Sequence, residues 1–164
     1  MITLTTKHLL LRTITMRDTA EVARMWNFEK GSISRSKARK AIRQMWRNQR
    51  RNRQTKLVHL CLAVFERDAL GIIGWCGLDG KRAPDAPDLF YLIGAEHRGK
   101  GYATECARRL IAYALEDAGL PCVRGGCARE NAASGRVMEK AGMIPCGFEP
   151  NGDPLFEIRR PSGH

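Results

Sequence analysis

Ten residues, Glu96–Glu105 (Glu-His-Arg-Gly-Lys-Gly-Tyr-Ala-Thr-Glu), set a glycine-rich turn between a strand-like run and a helical one. Leu89–Ile93 is apolar and short enough for a buried strand, and Thr104–Leu115 carries apolar residues at helical spacing. Gly99 and Gly101 let the backbone turn sharply and approach a ligand with no Cβ in the way. Successive N–H groups there, added to the positive end of the helix dipole, suit a phosphate or pyrophosphate. Spacing excludes two common phosphate loops. Gly94 to Gly99 has the P-loop interval, but Lys100 is followed by Gly101 and the magnesium-binding hydroxyl is missing. The dinucleotide pattern G-x-G-x-x-G fails because Thr104 stands where the last glycine or alanine belongs.

The elements that must hold this turn follow from periodicity. Leu9–Ile14 reads as an opening strand, and Asp18 caps a helix running to about Phe28 with Val22, Met25 and Trp26 on one face. A second helix is expected from Ser36, as N-cap, to about Asn52. It sets Ala38, Ala41, Ile42, Met45 and Trp46 against a face of Arg39, Lys40, Arg43, Arg47, Arg50 and Arg51. Leu57–Phe65 and Ile72–Leu78 read as a hairpin around Asp68–Gly71, and Asp79–Pro87 as a loop. After the turn and its helix, Gly119 supplies a C′ glycine. Cys122–Ala128 is then a strand, Asn131–Ala141 a short helix ended by Gly142, and Met143–Phe148 with Leu155–Arg159 a last hairpin. The expected fold is a single α/β (α+β) domain over residues 1–164, a twisted mixed sheet of about six to seven strands with helices on both faces.

At 164 residues, 43% hydrophobic and 27% charged, the composition fits one ordinary globular domain. No apolar stretch approaches the length of a membrane span, and Met1–Arg12 lacks a signal-peptide pattern, so a cytoplasmic protein with no membrane association is expected. Six scattered cysteines form no C-x-x-C pair and imply no metal; buried reduced thiols are expected. The net charge of +11 is unevenly placed: residues 1–60 carry +12 and residues 61–164 carry −1. The turn must therefore hold its anion mainly with backbone N–H groups and one or two local cations.

Arg98-x-x-Gly101-x-Ala103 resembles the R/Q-x-x-G-x-G/A signature of the GNAT superfamily of N-acetyltransferases. Downstream, Asn131-x-x-Ser134-x-x-Val137-x-x-Lys140-x-Gly142-Met143 resembles the N-x-x-S-x-x-V-x-x-K-x-G-F segment of the subgroup that includes ribosomal-protein N-terminal (alanine) acetyltransferases. The two motifs stand in the right order, and Leu11-Arg12-Thr13 with Asp18, Gly71–Gly77 and Asp88–Tyr91 extend the similarity over nearly the whole chain.

The resemblance implies acetyl-coenzyme A as co-substrate, no metal, and acetyl transfer to a primary amine, a protein N-terminus among the candidates, by direct attack in a ternary complex. It implies that Arg98, Gly99, Lys100, Gly101, Tyr102 and Ala103 bind the pyrophosphate. The pantetheine arm would lie between Asp88–Gly94 and Cys122–Ala128, strands that splay apart and leave backbone groups near Leu92 and Ile93 to hold it. Acceptor-side helices would occupy about 18–52, the coenzyme-binding core about 57–149 and a terminal hairpin 143–160. Asn131 would bond the pantetheine, while its local sequence equally suits a helix N-cap. The family's tyrosine proton donor on the last helix is replaced here by Met138, which leaves Ser134 as candidate donor or as a coenzyme-contacting or capping residue. Asp88 stands where relatives carry a glutamate and is the candidate base; a solvated strand-end aspartate and catalysis with no dedicated base are the alternatives. Glu96 reads as ordering the turn, and His97 as structural or exposed.

Ten basic and no acidic residues lie between Arg35 and Lys56. In the resembled family this segment flanks the acceptor, which implies an acidic peptide or ribosomal protein as partner. The alternative is a non-catalytic coenzyme A-binding or RNA- or ribosome-associated module using helix 36–52. Aromatic interleaving of the kind that stacks single strands is missing, so nucleic acid is not favoured. Either a monomer or a homodimer fits.

Overall fold

In a computed structural model, which describes residues 1–26 and 31–163, one eight-stranded sheet forms the centre of the chain. The strands are β1 (Thr3–Thr5), β2 (Leu9–Thr13), β3 (His59–Glu66), β4 (Gly74–Asp79), β5 (Asp88–Ile93), β6 (Cys122–Gly126), β7 (Ile144–Phe148) and β8 (Pro154–Arg159). Their order is β1-β2-β3-β4-β5-β6-β8-β7, with β5 and β6 the one parallel pair. The short β1 exceeds the expected count; it pairs Thr3–Thr5 with Leu10–Arg12 and has too few residues to show a period.

Helices cover both faces, as the two-sided burial of the strands requires. On one face lie α1 (Thr19–Met25) and α2 (Arg35–Arg50), packed on Ala63, Phe65, Ile72 and Trp75. On the other lie α3 (Tyr102–Ala112) and α4 (Ala132–Lys140), packed on Leu62, Cys76, Leu89, Ile93 and Val123. Along α3, Cys106, Ala107, Leu110, Ile111 and Ala114 are buried, and a π-helical turn over Tyr113–Asp117 carries the helix to Gly119 at φ 68°.

Three sequence expectations shift. The N-cap of α2 is Ser34, whose side chain accepts from the Lys37 amide, so the helix starts two residues earlier than a Ser36 cap allows. Asp18 precedes α1, but its carboxylate turns back to Arg12 and Thr15 instead of the helix amides. The expected end of α1 near Phe28 lies outside the described residues. Cys76, Cys106 and Cys122 are buried free thiols, whereas Cys61 and Cys127 are half-buried and Cys146 is exposed. No helix among the described residues is long and apolar enough to cross a membrane.

α2 holds together against its own charge. Cations at i,i+4 (Arg35/Arg39, Arg39/Arg43, Arg43/Arg47) repel by roughly 0.2–0.5 kcal/mol each, and its first turn has no acidic residue to complement the dipole. Burial of Ala38 and Ile42, each at 0% exposure, and the bond from Trp46 Nε1 to the Ile14 carbonyl (2.8 Å) fasten it to the sheet.

Candidate active site

β5 and β6 share a single paired position, Asp88 with Arg124, where the Arg124 amide donates to the Pro87 carbonyl at 2.9 Å. Beyond it the strands diverge. Because backbone groups of a strand alternate in direction, and the Gly94 amide donates to Ile73 on the β4 side, the groups of Tyr91 and Ile93 face the gap. Leu92, expected to offer backbone groups, pairs with Trp75 of β4, so that role falls to its neighbours and Leu92 contributes a wall. Arg98 Nε donates to the Ile93 carbonyl at 2.9 Å, which leaves the Ile93 N–H and both Tyr91 groups open to the gap.

The gap continues into a cleft of about 500 Å³. Tyr91, Leu92 and Ile93 line one end, Arg98, Gly99, Gly101, Tyr102 and Ala103 the other, and Asn131, Ser134, Val137 and Lys140 the flank. Gly99 and Gly101 sit at φ 77° and 80°, and a Cβ at either meets nothing within 4 Å, so the turn demands glycine for its left-handed backbone and for close approach of a ligand. The first backbone bond of α3 runs from the Glu105 amide to the Gly101 carbonyl, so the amides of Tyr102, Ala103 and Thr104 have no intrahelical acceptor. This is a nest for a diffuse anion.

Side chains around the turn are tied back. Glu66, at the end of β3, accepts from the Tyr102 hydroxyl (3.0 Å) and from Lys100 Nζ (3.4 Å), with His97 Nδ1 at 3.4 Å. The Tyr102 hydrogen bond comes first among the causes that hold the Glu66 carboxyl below its ordinary value. Lys100 therefore does not stand on the cleft wall in this structure, and Tyr102 lines the cleft with its hydroxyl held by Glu66. His97 does line the cleft, while Glu96 is exposed. Glu66 itself carried no sequence signal, because a strand-end glutamate 30 residues before the turn has no motif.

Asn131 caps α4, its side chain accepting from the Ser134 amide at 3.1 Å, and it also lines the cleft, so both sequence readings of it fit one position. Ser134 is half-buried. The Tyr91 hydroxyl donates to the Ser134 carbonyl and lies 2.9 Å from Ser134 Oγ. Burial pushes the Tyr91 phenol up despite its bond to Ser134, so it keeps its proton at neutral pH. Met138 is buried at 1% exposure against β6, where a Cβ at Gly125 would come within 2.7 Å of its Sδ. Where α4 carries no tyrosine, one from β5 stands beside Ser134. Its signal was the strand alternation that puts Tyr91 inward with Leu89 and Ile93, where a buried hydroxyl needs a partner.

Asp88 is not brought to this cleft. It shares the opposite face of β5 with Phe90 and Leu92, beside Arg82 Nε at 3.9 Å and across from Asp79. Burial raises its pKa, Arg82 and Arg124 oppose, and Asp79 adds to the rise. Ser134 and Asp88 therefore address the gap from opposite sides of the sheet.

Residues 8–144 match the family described as Acetyltransferase (GNAT) domain. The chain belongs to the GNAT acetyltransferase family. Among proteins similar to this GNAT chain is the uncharacterized N-acetyltransferase YjdG of Bacillus subtilis (strain 168), 30% identical over 84 residues, 49% of each chain. Another is YnaD of the same organism, 33% identical over 61 residues, 37% of this chain and 36% of that one. The matches thus span about half or less of these relatives. Solved structures share the fold: the ribosomal-protein-S5-alanine acetyltransferase of Vibrio fischeri (17% identity, 98% of each chain, TM-score 0.82) is one. RimL, a ribosomal α-N-protein acetyltransferase solved with coenzyme A, is another (14% identity, 94% of this chain and 96% of that one, TM-score 0.77).

Proposed function

We propose that this GNAT chain transfers the acetyl group of acetyl-coenzyme A to a primary amine, with the amine of an acidic polypeptide as acceptor. The observation that carries the reading is the splay beyond Asp88 and Arg124, open at Tyr91 and Ile93 and ending at the free amides of Tyr102–Thr104. Those amides, the two left-handed glycines and a cleft of about 500 Å³ fit a pyrophosphate with a long amide-bearing arm. Acetyl-coenzyme A, when bound, supplies a thioester carbonyl for attack by the neutral amine.

The chain's own groups then have defined tasks. The Ile93 N–H points into the gap and stabilises the negative charge that develops on the thioester oxygen as the amine nitrogen bonds to its carbon. As the C–S bond breaks, the Ser134 hydroxyl gives its proton to the sulfur and recovers one from Tyr91, which takes a proton back from solvent before the next turnover. Asp88, on the other face, takes the proton that the new amide nitrogen sheds, through solvent. The acidic acceptor is supported by α2, whose cations form no ion pair within 4 Å among the described residues and yet cost the helix stability.

A thiol-release assay across acidic N-terminal peptides, polyamines, aminoglycosides and amino acids tests this. Release with an acidic peptide, saturable in acetyl-coenzyme A, is the expected result. Preferential acetylation of spermine overturns the acceptor, and binding of coenzyme A with no turnover on any amine overturns the enzyme.

A further inference from the structure

On the α1/α2 face of the sheet lies a second cavity, of about 200 Å³, separate from the coenzyme cleft. Val22 of α1, Trp26 just after it, Met45 of α2, Cys61 of β3, and Phe90 and Leu92 of β5 build its walls. Leu92 also walls the cleft on the other side, so the two cavities meet at the same strand position, beside the open Ile93 amide. An amine reaching the gap from this face brings whatever is attached to its carbon into the second cavity.

The walls set what that substituent is. They are aromatic, aliphatic or thioether, and the Cys61 thiol is pushed up to about 12 by burial and stays neutral. A charged or strongly polar side chain would lose its water there and gain no partner. An apolar void of roughly 150 Å³ accommodates a benzene ring, so this one is the size of a benzyl or branched aliphatic group. The helix that supplies Met45 to the cavity wall carries Arg39, Arg43 and Arg47 on its exposed face, so the cations stand on the same element as the cavity but do not line it.

We infer that the acceptor is the α-amino group of a polypeptide whose first residue is bulky and apolar, its side chain filling this cavity while acidic residues behind it run along α2. This rests on the acetyltransferase reading and narrows it. The polar groups on the same face, Asp88 and the His59 ring stacked on Phe90 at 5.9 Å, lie beyond Phe90 at the other end of β5 from Ile93 and do not line the cavity.

The test is kcat/KM for a series of otherwise identical acidic peptides beginning with Phe, Leu, Ala, Gly or Asp, assayed with the full chain. Phe or Leu is expected to exceed Gly by at least about 10-fold, with Asp lowest. Two filling variants, Met45→Trp and Cys61→Leu, are each expected to shrink the Phe-to-Gly ratio towards one; coenzyme A affinity reports that the fold is kept. Equal turnover of the Gly and Phe peptides, or variants that lower every peptide by the same factor, overturns the inference alone. Absence of thiol release with every peptide and every small amine overturns the acetyltransferase reading, and this inference with it.

Discussion

The Tyr91 hydroxyl donates to the Ser134 carbonyl at 2.9 Å and stands equally far from Ser134 Oγ, joining β5 to α4 across the splayed cleft. With the single phenol hydrogen on the carbonyl, the Ser134 hydroxyl donates to the Tyr91 oxygen, which links the proposed proton donor to a second hydroxyl. Ser134→Ala is expected to lower kcat by roughly 100-fold, the range of a positioned general acid. Tyr91→Phe is expected to lower it by about 10-fold, and the double variant to be no slower than Ser134→Ala. Steady-state thiol release measures all three; undiminished turnover of Ser134→Ala places the donor elsewhere.

Gly101→Ala forces a side chain into a left-handed backbone, a strain of about 1–2 kcal/mol, and puts a methyl group where the anion docks. Acetyl-coenzyme A affinity is expected to fall about 10-fold or more in titration calorimetry, with kcat nearly retained. An unchanged affinity would mean that the turn does not hold the pyrophosphate.

Asp88, in its proposed role as base, works only when ionised. Its pKa is raised, by burial first, so kcat/KM is expected to rise with pH through a midpoint above the ordinary 3.8. Asp88→Asn should remove that limb from the pH profile. A profile identical in the variant assigns the limb to the amine itself.

Arg12 holds Asp18 in a bidentate pair at 2.8 Å and lies 4.5 Å from the centre of the Phe65 ring. Burial pushes the Asp18 carboxyl up, but the bonds from Arg12 and Thr15 outweigh it and hold the pKa below 3.8. The pair's contribution is therefore complete above the unfolded-state value and lost as pH falls through the lower folded one. Arg12→Ala leaves a buried carboxylate unpaired and is expected to cost roughly 2–3 kcal/mol at pH 7. Asp18→Asn should flatten the acid side of the thermal-melting profile.

Reversing Arg39, Arg43 and Arg47 to Glu is expected to raise KM for an acidic peptide and to abolish its increase with salt, with coenzyme A affinity unaffected. A KM that stays put removes α2 from acceptor binding.

Legibility followed locality. The turn Arg98–Ala103, the Asn131 cap and the inner stripe of α2 could be read from spacing, since each is fixed by residues within one or two turns of chain. Relationships between strands could not. The Tyr91–Ser134 contact, the capture of Lys100 by Glu66 and the opposite facing of Asp88 depend on how separate segments come together. Leu92 shows the finest failure, because a one-residue change of register exchanges backbone donor for wall.

The lone rung between Asp88 and Arg124 makes the sheet two leaves bound along one short margin: β1–β5 on one side, β6, β8 and β7 on the other, with α3 lying across β5 and α4. Slot width is then an elastic quantity, set by side chains and not by a ladder. A ligand seated in the slot completes the missing rungs and couples the leaves, so amide exchange at Tyr91 and Ile93 should slow together with that of β6. At a hundredfold excess over Kd the whole chain gains about 2.7 kcal/mol, a stiffening readable as a rise in melting temperature before any chemistry occurs.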